Sequence, residues 1–427
     1  MDSLSAIVVG AGPAGNAAAY TLAKAGLQVM LVERAKTPGE KNVSGGVLYG
    51  QVLHNLIPKY WEQAPVERRI TTHRLSLLSN GSAFTLDFSS GKRTPFPNDG
   101  YSVNRYKFDQ WFAKEAEKAG ALLAPGIRVD DLLWENNQII GVKAGTDEVF
   151  ANVVIAADGV NSQLAKKANL RKDHTPEQMG LGIKEVYALP RDVIEERFNL
   201  IGNEGAAYHF IGCTKGYPGG GFLYTNHDTL SLGLVIFLPA FEVTSETAPD
   251  LIEHYKSYPF IQRLIRNGDL KEYSAHLVPE GGFSGITKLY TDGLLVIGDA
   301  AGLAFNIGYA LEGMNFAIAS GIAAAETVIA ASKSGDFTKR SLKYYEKSLQ
   351  DSFVLKDMKT FKRARYLFNN PRVHTTYPNL VNAFARELFT SRGVPRQKLV
   401  QHLIRHVLGN VTIPSLIRDG LQVVRGL

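Results

Sequence analysis

The sequence has almost no cysteine: Cys213 is the only one in 427 residues. One thiol cannot form a disulfide within the chain, and a protein-bound iron–sulfur cluster needs about four thiolate ligands. The composition therefore excludes a disulfide scaffold and an iron–sulfur cluster ligated by this chain, and we predict no metal site. A reducing cytoplasm is consistent with this composition.

The sequence also lacks an export signal and a segment typical of a membrane span. The first apolar run, Ala6–Val9, follows Asp2 rather than a basic stretch and leads into a glycine turn, so it predicts a buried strand. The longest weakly polar segment, residues 313–332, contains Asn315 and Glu326, which suit a buried helix better than a bilayer span. We expect a chain that does not cross a membrane.

Charge is distributed unevenly along the chain. Residues 356–427 carry 13 Lys+Arg and 3 Asp+Glu, or +10, whereas the 34 Lys+Arg and 38 Asp+Glu before them sum to −4. A basic C-terminal region favours contact with an anionic surface, such as lipid headgroups or an acidic partner. A solvated helical face explains the pattern equally well. The charges lie in no nucleic-acid-binding module, so no nucleic-acid partner is predicted.

The N-terminal segment predicts a dinucleotide-binding β–α–β unit. Residues 5–9 and 28–33 have the pattern of buried strands, and residues 14–25 that of a helix. The turn between the first strand and the helix matches G-x-G-x-x-G with Gly10, Gly12 and Gly15. Because the match follows a strand and opens a helix, it indicates a phosphate-binding turn.

Each part of this unit has a physical task. Gly10 permits the tight turn, Gly12 lets the backbone approach a pyrophosphate, and Gly15 lets the helix lie close to the sheet. The helix begins at Pro13 and Ala14, and its free N–H groups and positive dipole end favour phosphates. Glu33, at the end of the second strand, is placed to accept hydrogen bonds from ribose hydroxyls. The predicted cofactor-binding set also includes Arg34 and Val129.

Two later segments favour FAD over NAD. Asp158 and Gly159 follow an apolar strand, and a second apolar strand leads into Gly298-Asp299-Ala300-Ala301-Gly302. An aspartate there can hydrogen-bond the ribityl chain, which NAD lacks. The helix that begins near Gly313, Met314 and Asn315 would stabilise negative charge on a reduced flavin.

The remaining sequence predicts a glutathione-reductase-type α/β fold with a discontinuous FAD-binding domain. Residues 180–276 alternate and are rich in aromatics, which predicts an inserted antiparallel sheet. Beyond residue 339 the pattern is helical with proline breaks. We assign residues 1–75, 100–170 and 285–335 to the FAD-binding domain, 76–99 and 171–284 to a substrate domain, and 336–427 to a helical C-terminal region.

Together these motifs resemble the electron-transfer flavoprotein–quinone oxidoreductases, and most closely their FixC-type branch, also called EtfC. The resemblance covers nearly the whole chain. It is carried by the segments already described and by Lys41-Asn42-Val43-Ser44-Gly45-Gly46, Arg105 with Phe108-Asp109, Tyr273-Ser274-Ala275-His276 and Pro279-Glu280-Gly281-Gly282.

The resemblance implies one extended, non-covalent FAD and a quinone pocket. Ser44 and Gly45, after Lys41, would border the isoalloxazine, and Arg105 would lie near the pyrophosphate. The glycine backbones of Gly219 and Gly220 would contact a quinone carbonyl. The walls of the quinone pocket would be Phe222, Tyr224, Tyr273 and Phe305, with His276 as a further wall residue and a candidate proton donor.

The resemblance also implies partners. Single-chain members carry cysteines for a [4Fe-4S] cluster in a C-terminal domain, and this chain does not. A small ferredoxin-like subunit of the FixX type would then supply the cluster, and an electron-transfer flavoprotein heterodimer would donate electrons. Glu312 departs from expectation, because a carboxylate aimed at the flavin lowers its potential. We expect peripheral contact with the inner face of the cytoplasmic membrane, where the quinone lies.

Three alternatives stay open. A geranylgeranyl-reductase-type enzyme shares the fold, but Trp61, Trp111 and Trp134 all lie outside residues 180–276, where that family has a tryptophan motif. A flavin hydroxylase is disfavoured because Gly302, rather than histidine, follows Ala301. A relay subunit that binds FAD but has no small-molecule substrate remains. No second G-x-G-x-x-G unit is flanked by a strand and a helix, which favours a protein donor over NAD(P)H.

Overall fold

A computed structural model describes residues 4–40, 46–91, 97, 99–308, 311–391, 393 and 407–426. In this part of the chain the strands are β1 Ala6–Val9, β2 Val29–Glu33, β3 Gly46–Tyr49, β4 Val66–Ser79, β5 Ser82–Ser89, β6 Gly100–Val103, β7 Leu122–Pro125, β8 Asp131–Glu135, β9 Gln138–Ala144, β10 Asp147–Phe150, β11 Val154–Ala156, β12 Met179–Ala188, β13 Glu204–Ile211, β14 Gly219–Thr225, β15 Thr229–Phe237, β16 Asp269–Pro279, β17 Tyr290–Thr291, β18 Leu294–Val296, β19 Phe305–Asn306 and β20 Leu311–Glu312. The helices are α1 Pro13–Lys24, α2 Gln51–Leu56, α3 Arg105–Lys118, α4 Gln163–Lys167, α5 Arg191–Phe198, α6 Ala240–Val243, α7 Ala248–Ser257, α8 Pro259–Ile265, α9 Met314–Ser334, α10 Lys339–Asp351, α11 Phe353–Thr360, α12 Ala364–Phe368, α13 Pro371–His374, α14 Thr376–Phe389 and α15 Ile413–Gly426.

The first of two main sheets is the nucleotide-type sheet, with strand order β17-β18-β11-β1-β2-β7. Its strands pair in parallel, except for the short β17, which is antiparallel to β18. The inner strands β1, β11 and β18 are fully buried and are continuous apolar runs, as is typical of strands covered on both faces. Three distant stretches of sequence meet in it, which confirms the predicted α/β fold with a discontinuous nucleotide-binding sheet.

The second main sheet is large and mostly antiparallel. Its order is β16-β12-β15-β14-β13-β4-β6-β3, and β5 also pairs with β4. One exception to the antiparallel pattern is β13, which runs parallel to β4. Two small sheets, β8–β10 and β19–β20, complete the strand pairing.

The large sheet has two different faces, because side chains alternate along a strand. Leu223, Leu232 and Leu234 point to one face and join the buried core under α5, α7 and α8. Phe222 and Tyr224 point to the other face, toward the nucleotide-type sheet. The space between the two sheets is therefore lined partly by this second face.

Helix α1 is held by close backbone contacts. A Cβ at Gly321 of α9 would lie 2.2 Å from the Ala14 carbonyl oxygen, so α9 crosses α1 backbone to backbone. The buried Asn16 amide donates to the carbonyl oxygens of Ala11 (3.0 Å) and Asp109 (3.1 Å), which joins α1 to α3. Helix α1 is thereby held against both α3 and α9.

Helix α9 is the candidate membrane span among the described residues. By length and composition Met314–Ser334 could cross a bilayer, yet most of it is buried inside the protein. Ala324, Ala325 and Val328 are fully covered. The helix packs in the core between α1 and α10.

The C-terminal helix α15 has an inverted arrangement of side chains. Its inward side carries a buried carboxylate, Asp419, which accepts two hydrogen bonds from the Arg372 guanidinium at 2.6 and 2.7 Å. Its outward stripe is apolar, with Ile413, Ile417 and Val424 exposed. A surface helix normally shows the reverse pattern.

The single cysteine lies in the core beneath the large sheet. Cys213 is fully buried and contacts the Phe210 carbonyl oxygen at 3.7 Å. Burial raises the pKa of its thiol to about 12. The thiol is therefore a structural group that stays protonated.

Strands β4 and β5 form an antiparallel hairpin. The structure differs from the sequence expectation in the inserted region, where an antiparallel sheet alone was predicted. The inserted region also contains helices α5, α7 and α8 between its strands. These short helices cover the buried core on the leucine face of the large sheet. The proposed domain boundaries stay a prediction.

We expect Gly321→Ala to destabilise the protein by about 1–3 kcal/mol, because its methyl group would meet a backbone carbonyl that cannot move aside. The measurement is the free energy of unfolding in urea. Gly420→Ala in α15 is the matched control, since a Cβ there meets nothing within 4 Å. Equal stability of the two variants would show that α9 does not cross α1 this closely.

A candidate FAD-binding and substrate cavity

A cavity of about 500 Å³ lies between the two sheets. Its first end is formed by the carboxyl ends of β1 and β2 and the turn that leads into α1. Its second end is formed by the aromatic face of the large sheet and the segment that follows β16. The carboxyl edge of a parallel sheet is the usual ligand site in open α/β folds.

The glycine turn leaves no room for side chains. Gly10 has φ +108°, and a Cβ on it would lie 2.3 Å from the Ala157 carbonyl oxygen. A Cβ on Gly15 would lie 1.8 Å from the Gly10 carbonyl oxygen. Gly12 is the N-cap of α1 and no side chain caps the helix, so its first N–H groups stay available to an anion.

Glu33 fixes the end of β2 against this turn. Its Oε2 accepts a hydrogen bond from the Ala11 N–H at 3.0 Å, and its Oε1 accepts one from the Ala35 N–H at 2.8 Å. A carboxylate has about four acceptor positions, so it retains capacity for a ligand hydroxyl. The arrangement suits a ribose beside the turn.

A buried ion pair stands near the turn. Arg105 Nε and Nη2 donate to Asp109 Oδ1 and Oδ2 at 2.9 and 2.8 Å, and Asp109 is fully buried. Burial alone would lower the pKa of Arg105, but Asp109 and Asp299 outweigh it, and the net pKa is raised. The guanidinium is therefore a permanent cation within the cavity wall.

Two further carboxyl groups line the same region. Asp158 Oδ2 accepts from the Leu164 N–H at 3.0 Å, whereas its buried Oδ1 has no hydrogen-bond partner among the described residues. Burial raises the pKa of Asp158 and of Asp299. A buried polar atom without a hydrogen-bond partner costs folding free energy, so a polar group of a bound ligand would stabilise Asp158 Oδ1. This atom and the side-chain-free turn fit a dinucleotide cofactor such as FAD.

The second end of the cavity is aromatic and apolar. Phe222 and Tyr224 stack with ring centroids 5.1 Å apart, and Phe305 stacks on Phe316 at 5.4 Å. His276 also lines this end, and burial together with Arg105 and Arg34 lowers its pKa. It is therefore neutral at physiological pH.

The structure brings most of the predicted site residues to this one cavity. Of the predicted cofactor set, the wall contains Gly10, Gly12, Pro13, Ala14, Glu33, Arg34, Arg105, Val129, Asp158, Gly159, Asp299, Gly313 and Met314. Of the predicted quinone set, it contains Phe222, Tyr224 and Phe305, together with His276. Lys41, Ser44 and Gly45 lie outside the described residues.

Four residues of the predicted cofactor set are not in the wall. Gly15 packs behind the turn, and the Gly298 N–H donates to Ser320 Oγ at 2.9 Å. Gly302 has φ +78° and lies against the Gly285 carbonyl. Asn315 Nδ2 donates to Glu312 Oε2 at 2.5 Å. These residues shape the backbone around the cavity.

Three residues of the predicted quinone set also lie elsewhere. Tyr273 is three residues from His276 on β16, so the two side chains point to opposite faces of the strand. Gly219 has φ +153° and packs against the Val235 carbonyl. Gly220 shares the face of Phe222 but does not line the cavity. Their assignment stays a prediction.

Sequence reasoning missed several wall residues. Ile127 and Arg128 precede Val129 after β7, and their position after a strand end could have indicated them. Glu280 and Asn306 come from distant segments that meet only in the fold. No local sequence signal joins these two.

Comparisons with known proteins agree with this geometry. Residues 3–199 match the model of an FAD binding domain, and residues 363–427 match the ETF-QO/FixC family C-terminal domain. Protein FixC of Escherichia coli strain K12 is 45% identical over 424 residues, which cover 99% of each chain. Protein FixC of Azotobacter vinelandii is 39% identical over 433 residues and covers 100% of this chain and 99% of its own.

Among solved structures, a geranylgeranyl bacteriochlorophyll reductase-like protein from Thermoplasma acidophilum superimposes with a TM-score of 0.75. It covers 98% of each chain at 19% identity, a likeness that shows the fold alone. Fold, cavity and FAD binding domain together define an FAD-dependent oxidoreductase. Within that class, this chain belongs to the FixC-type branch of the electron-transfer flavoprotein–quinone oxidoreductase family.

We expect Arg105→Met to destabilise the protein by about 3–5 kcal/mol, because it removes the guanidinium that donates two hydrogen bonds to the fully buried Asp109 carboxylate. The double variant Arg105→Met with Asp109→Leu should recover most of the loss. The free energy of unfolding in urea is measured for the single variant and for the double variant.

Arg340→Met is the control, since Arg340 and Asp336 have the same i,i+4 spacing with Arg340 exposed. Exposed pairs of this kind contribute about 0.3–0.5 kcal/mol. A loss at Arg105 no larger than this would contradict the buried ion pair.

Proposed function

We propose that this protein passes electrons through one bound FAD, from an electron-transfer flavoprotein or ferredoxin-like partner, to a membrane quinone. The observation that carries the proposal is a single cavity with two chemically different ends. One end offers backbone N–H groups and carboxylates to a dinucleotide. The other offers stacked aromatic rings to an apolar ring system.

At the polar end of the cavity, particular residues would hold each part of the FAD molecule. Gly10, Gly12 and the free N–H groups of α1 would hold the pyrophosphate, and Glu33 would accept from the ribose. The unpaired Asp158 Oδ1 and the Asp299 carboxyl would face the ribityl chain. The start of α9 at Gly313 and Met314 would lie against the isoalloxazine.

Bound FAD supplies the reversible two-electron chemistry, and the protein supplies orientation, electrostatics and access. Glu312, which lies in the cavity wall, would affect the electrostatic environment of the flavin. Burial raises the pKa of Glu312, and Asn315 donates to it. A raised pKa means that Glu312 is ionised over a narrower pH range, which would weaken its effect on the flavin potential.

The apolar end supports access from a membrane. Strand register places Phe222 and Tyr224 on the same sheet face as Leu86 and Phe88 of the β4–β5 hairpin. Leu86 is 60% exposed and Phe88 65% exposed. An apolar hairpin at the sheet edge is a suitable contact with lipid, from which a quinone would enter.

The C-terminal region supports a protein partner. The outward stripe of α15, which includes Ile413, Ile417 and Val424, is apolar and is flanked by Arg418 and Arg425. Residues 363–427 match the ETF-QO/FixC family C-terminal domain, and the resemblance to that family implies that a separate subunit supplies the iron–sulfur cluster. A small iron–sulfur subunit docked on α15 would cover the stripe.

The test of the proposed function uses purified protein that contains FAD. The protein is photoreduced without oxygen and mixed with a short-tail menaquinone analogue, while flavin absorbance is followed. We expect rapid flavin reoxidation with formation of quinol. Reoxidation by the partner proteins alone would instead indicate a relay subunit, and saturation of a prenyl double bond would indicate an isoprenoid reductase. Folded protein that takes up no FAD would overturn the proposal.

We expect the double variant Leu86→Ser with Phe88→Ser to slow the reduction of a long-tail quinone in liposomes about tenfold or more, since burying two such side chains contributes about 1.5–3 kcal/mol each. Reduction of a water-soluble quinone should be unchanged. Ile201→Ser is the control, because Ile201 is exposed on a loop outside the hairpin. Equal rates for all three proteins in liposomes would argue against membrane contact through the hairpin.

A further inference from the structure

Glu280 is a buried carboxyl at the apolar end of the cavity. It follows Pro279, the last residue of β16, and is only 6% exposed. The same side chain lines a second, smaller pocket, whose other walls include Phe361, Lys362 and Arg365. Glu280 therefore stands between the cavity and the surface of the C-terminal region.

The carboxyl has one hydrogen-bonding side chain among the described residues. Asn306 Nδ2 donates to Glu280 Oε2 at 2.8 Å. Asn306 Oδ1 accepts from the Gly308 N–H at 2.7 Å, which turns the amide's NH₂ group toward the carboxyl. Glu280 makes no ion pair within 4.0 Å in the described part of the chain.

Burial decides the protonation of this group. A carboxylate removed from water without an ion-pair partner is unfavourable. Burial raises the pKa of Glu280 to about 7, although the Asn306 hydrogen bond and the Arg365 charge both oppose the shift. Lys362 and Arg365 face it across the smaller pocket, and His276 is neutral. Both forms of Glu280 are therefore populated near neutral pH.

The smaller pocket can connect Glu280 to solvent. Its volume is about 30 Å³, which exceeds the roughly 10–15 Å³ that one water needs. Polar groups for such a water are present in Glu280, Lys362 and Arg365, and Lys362 is exposed at the surface. A proton can thus reach the carboxyl from outside without crossing the cavity.

We propose that Glu280 carries protons between solvent and the substrate bound at the apolar end of the cavity, with Asn306 as its positioning residue. The inference rests on the proposed quinone reductase function. Bound FAD would supply two electrons and one proton for each quinone, and Glu280 would donate the second proton that completes the quinol. The Glu280 carboxylate then takes a proton back from solvent through the smaller pocket.

His276 is a less suitable carrier. It lies four residues earlier on β16, and Arg105 and Arg34 add to burial in lowering its pKa. The imidazolium is disfavoured there, so at neutral pH it has no extra proton to give. A residue that donates and recovers protons works best when its pKa lies near the working pH.

The kinetic test compares wild type, Glu280→Gln and the control Glu326→Gln, whose residue is exposed on α9. Each photoreduced protein is mixed with a water-soluble quinone, and separately with ferricyanide, which accepts electrons without protons. We expect Glu280→Gln to slow reoxidation by quinone about 100-fold or more, as for loss of a general acid. Reoxidation by ferricyanide and both reactions of the control should match wild type.

A second readout requires no turnover. In infrared spectra of the oxidised protein at several pH values, wild type should show a protonated carboxyl band that disappears with a midpoint near pH 7. Glu280→Gln should lack this band. Asn306→Ala removes a hydrogen bond to the carboxylate, so it should shift the midpoint of the band, and of the quinone rate profile, to higher pH.

Stability should follow the same titration. The folded pKa lies above the ordinary 4.5, so the folded state binds more protons than the unfolded state between pH 4.5 and about 7. The extra proton on folded Glu280 contributes its full stabilisation of the folded state below pH 4.5. That contribution is lost as the pH rises from 4.5 to about 7. Relative to Glu280→Gln, wild type should therefore lose stability between pH 4.5 and about 7 and change little outside that window.

The outcomes separate the two proposals. If wild type reduces quinone and Glu280→Gln does so equally fast, Glu280 is not the carrier and the proposed function stands. If Glu280→Gln slows quinone and ferricyanide alike, the defect is not in proton delivery and the inference fails. If wild type does not reduce quinone, the proposed function and this inference fail together.

Discussion

The structure depends on the close approach of three backbones around α1. The turn at Gly10 touches the carbonyl of Ala157, and Gly321 of α9 touches the carbonyl of Ala14. Each contact joins segments that are far apart in the sequence. Because side chains are excluded at these points, the strand ends that face the cavity are brought into fixed positions, and the carboxyl groups that follow those strands come with them.

The large sheet adds the second half of the cavity through simple alternation. One face of its strands buries leucines over α5 and α7, and the other presents aromatic rings and His276 to the cavity. The division between a polar and an apolar end thus follows from which sheet supplies the wall. The buried Arg105–Asp109 pair belongs to the polar wall and keeps a fixed positive charge near the turn.

Much of the polar end could be predicted because its residues have local sequence signals. Gly10, Asp158 and Asp299 each follow a recognisable apolar strand and Glu33 ends one, and parallel strands end at one edge. The apolar end was harder. Alternation alone separates Tyr273 from His276, yet the motif containing both does not say which of them faces the cavity.

Glu280 and Asn306 show why the rest could not be predicted. They are 26 residues apart, and their hydrogen bond exists only because β16 and the segment at Phe305 meet beside the cavity. The pKa of the Glu280 carboxyl is raised by burial, which cannot be deduced from the residue type. The helices of the inserted region were missed for a similar reason, since short amphipathic helices are stabilised by packing more than by local propensity.

The inert Cys213 thiol has a practical consequence. With its sulfur fully buried and its ionisation suppressed, the natural chain presents no reactive thiol to maleimides or methanethiosulfonates. A cysteine introduced at the β4–β5 hairpin or on α15 would be the one site modified. Spin labels or fluorophores could then report lipid depth or subunit contacts at each surface separately, without first removing a native residue.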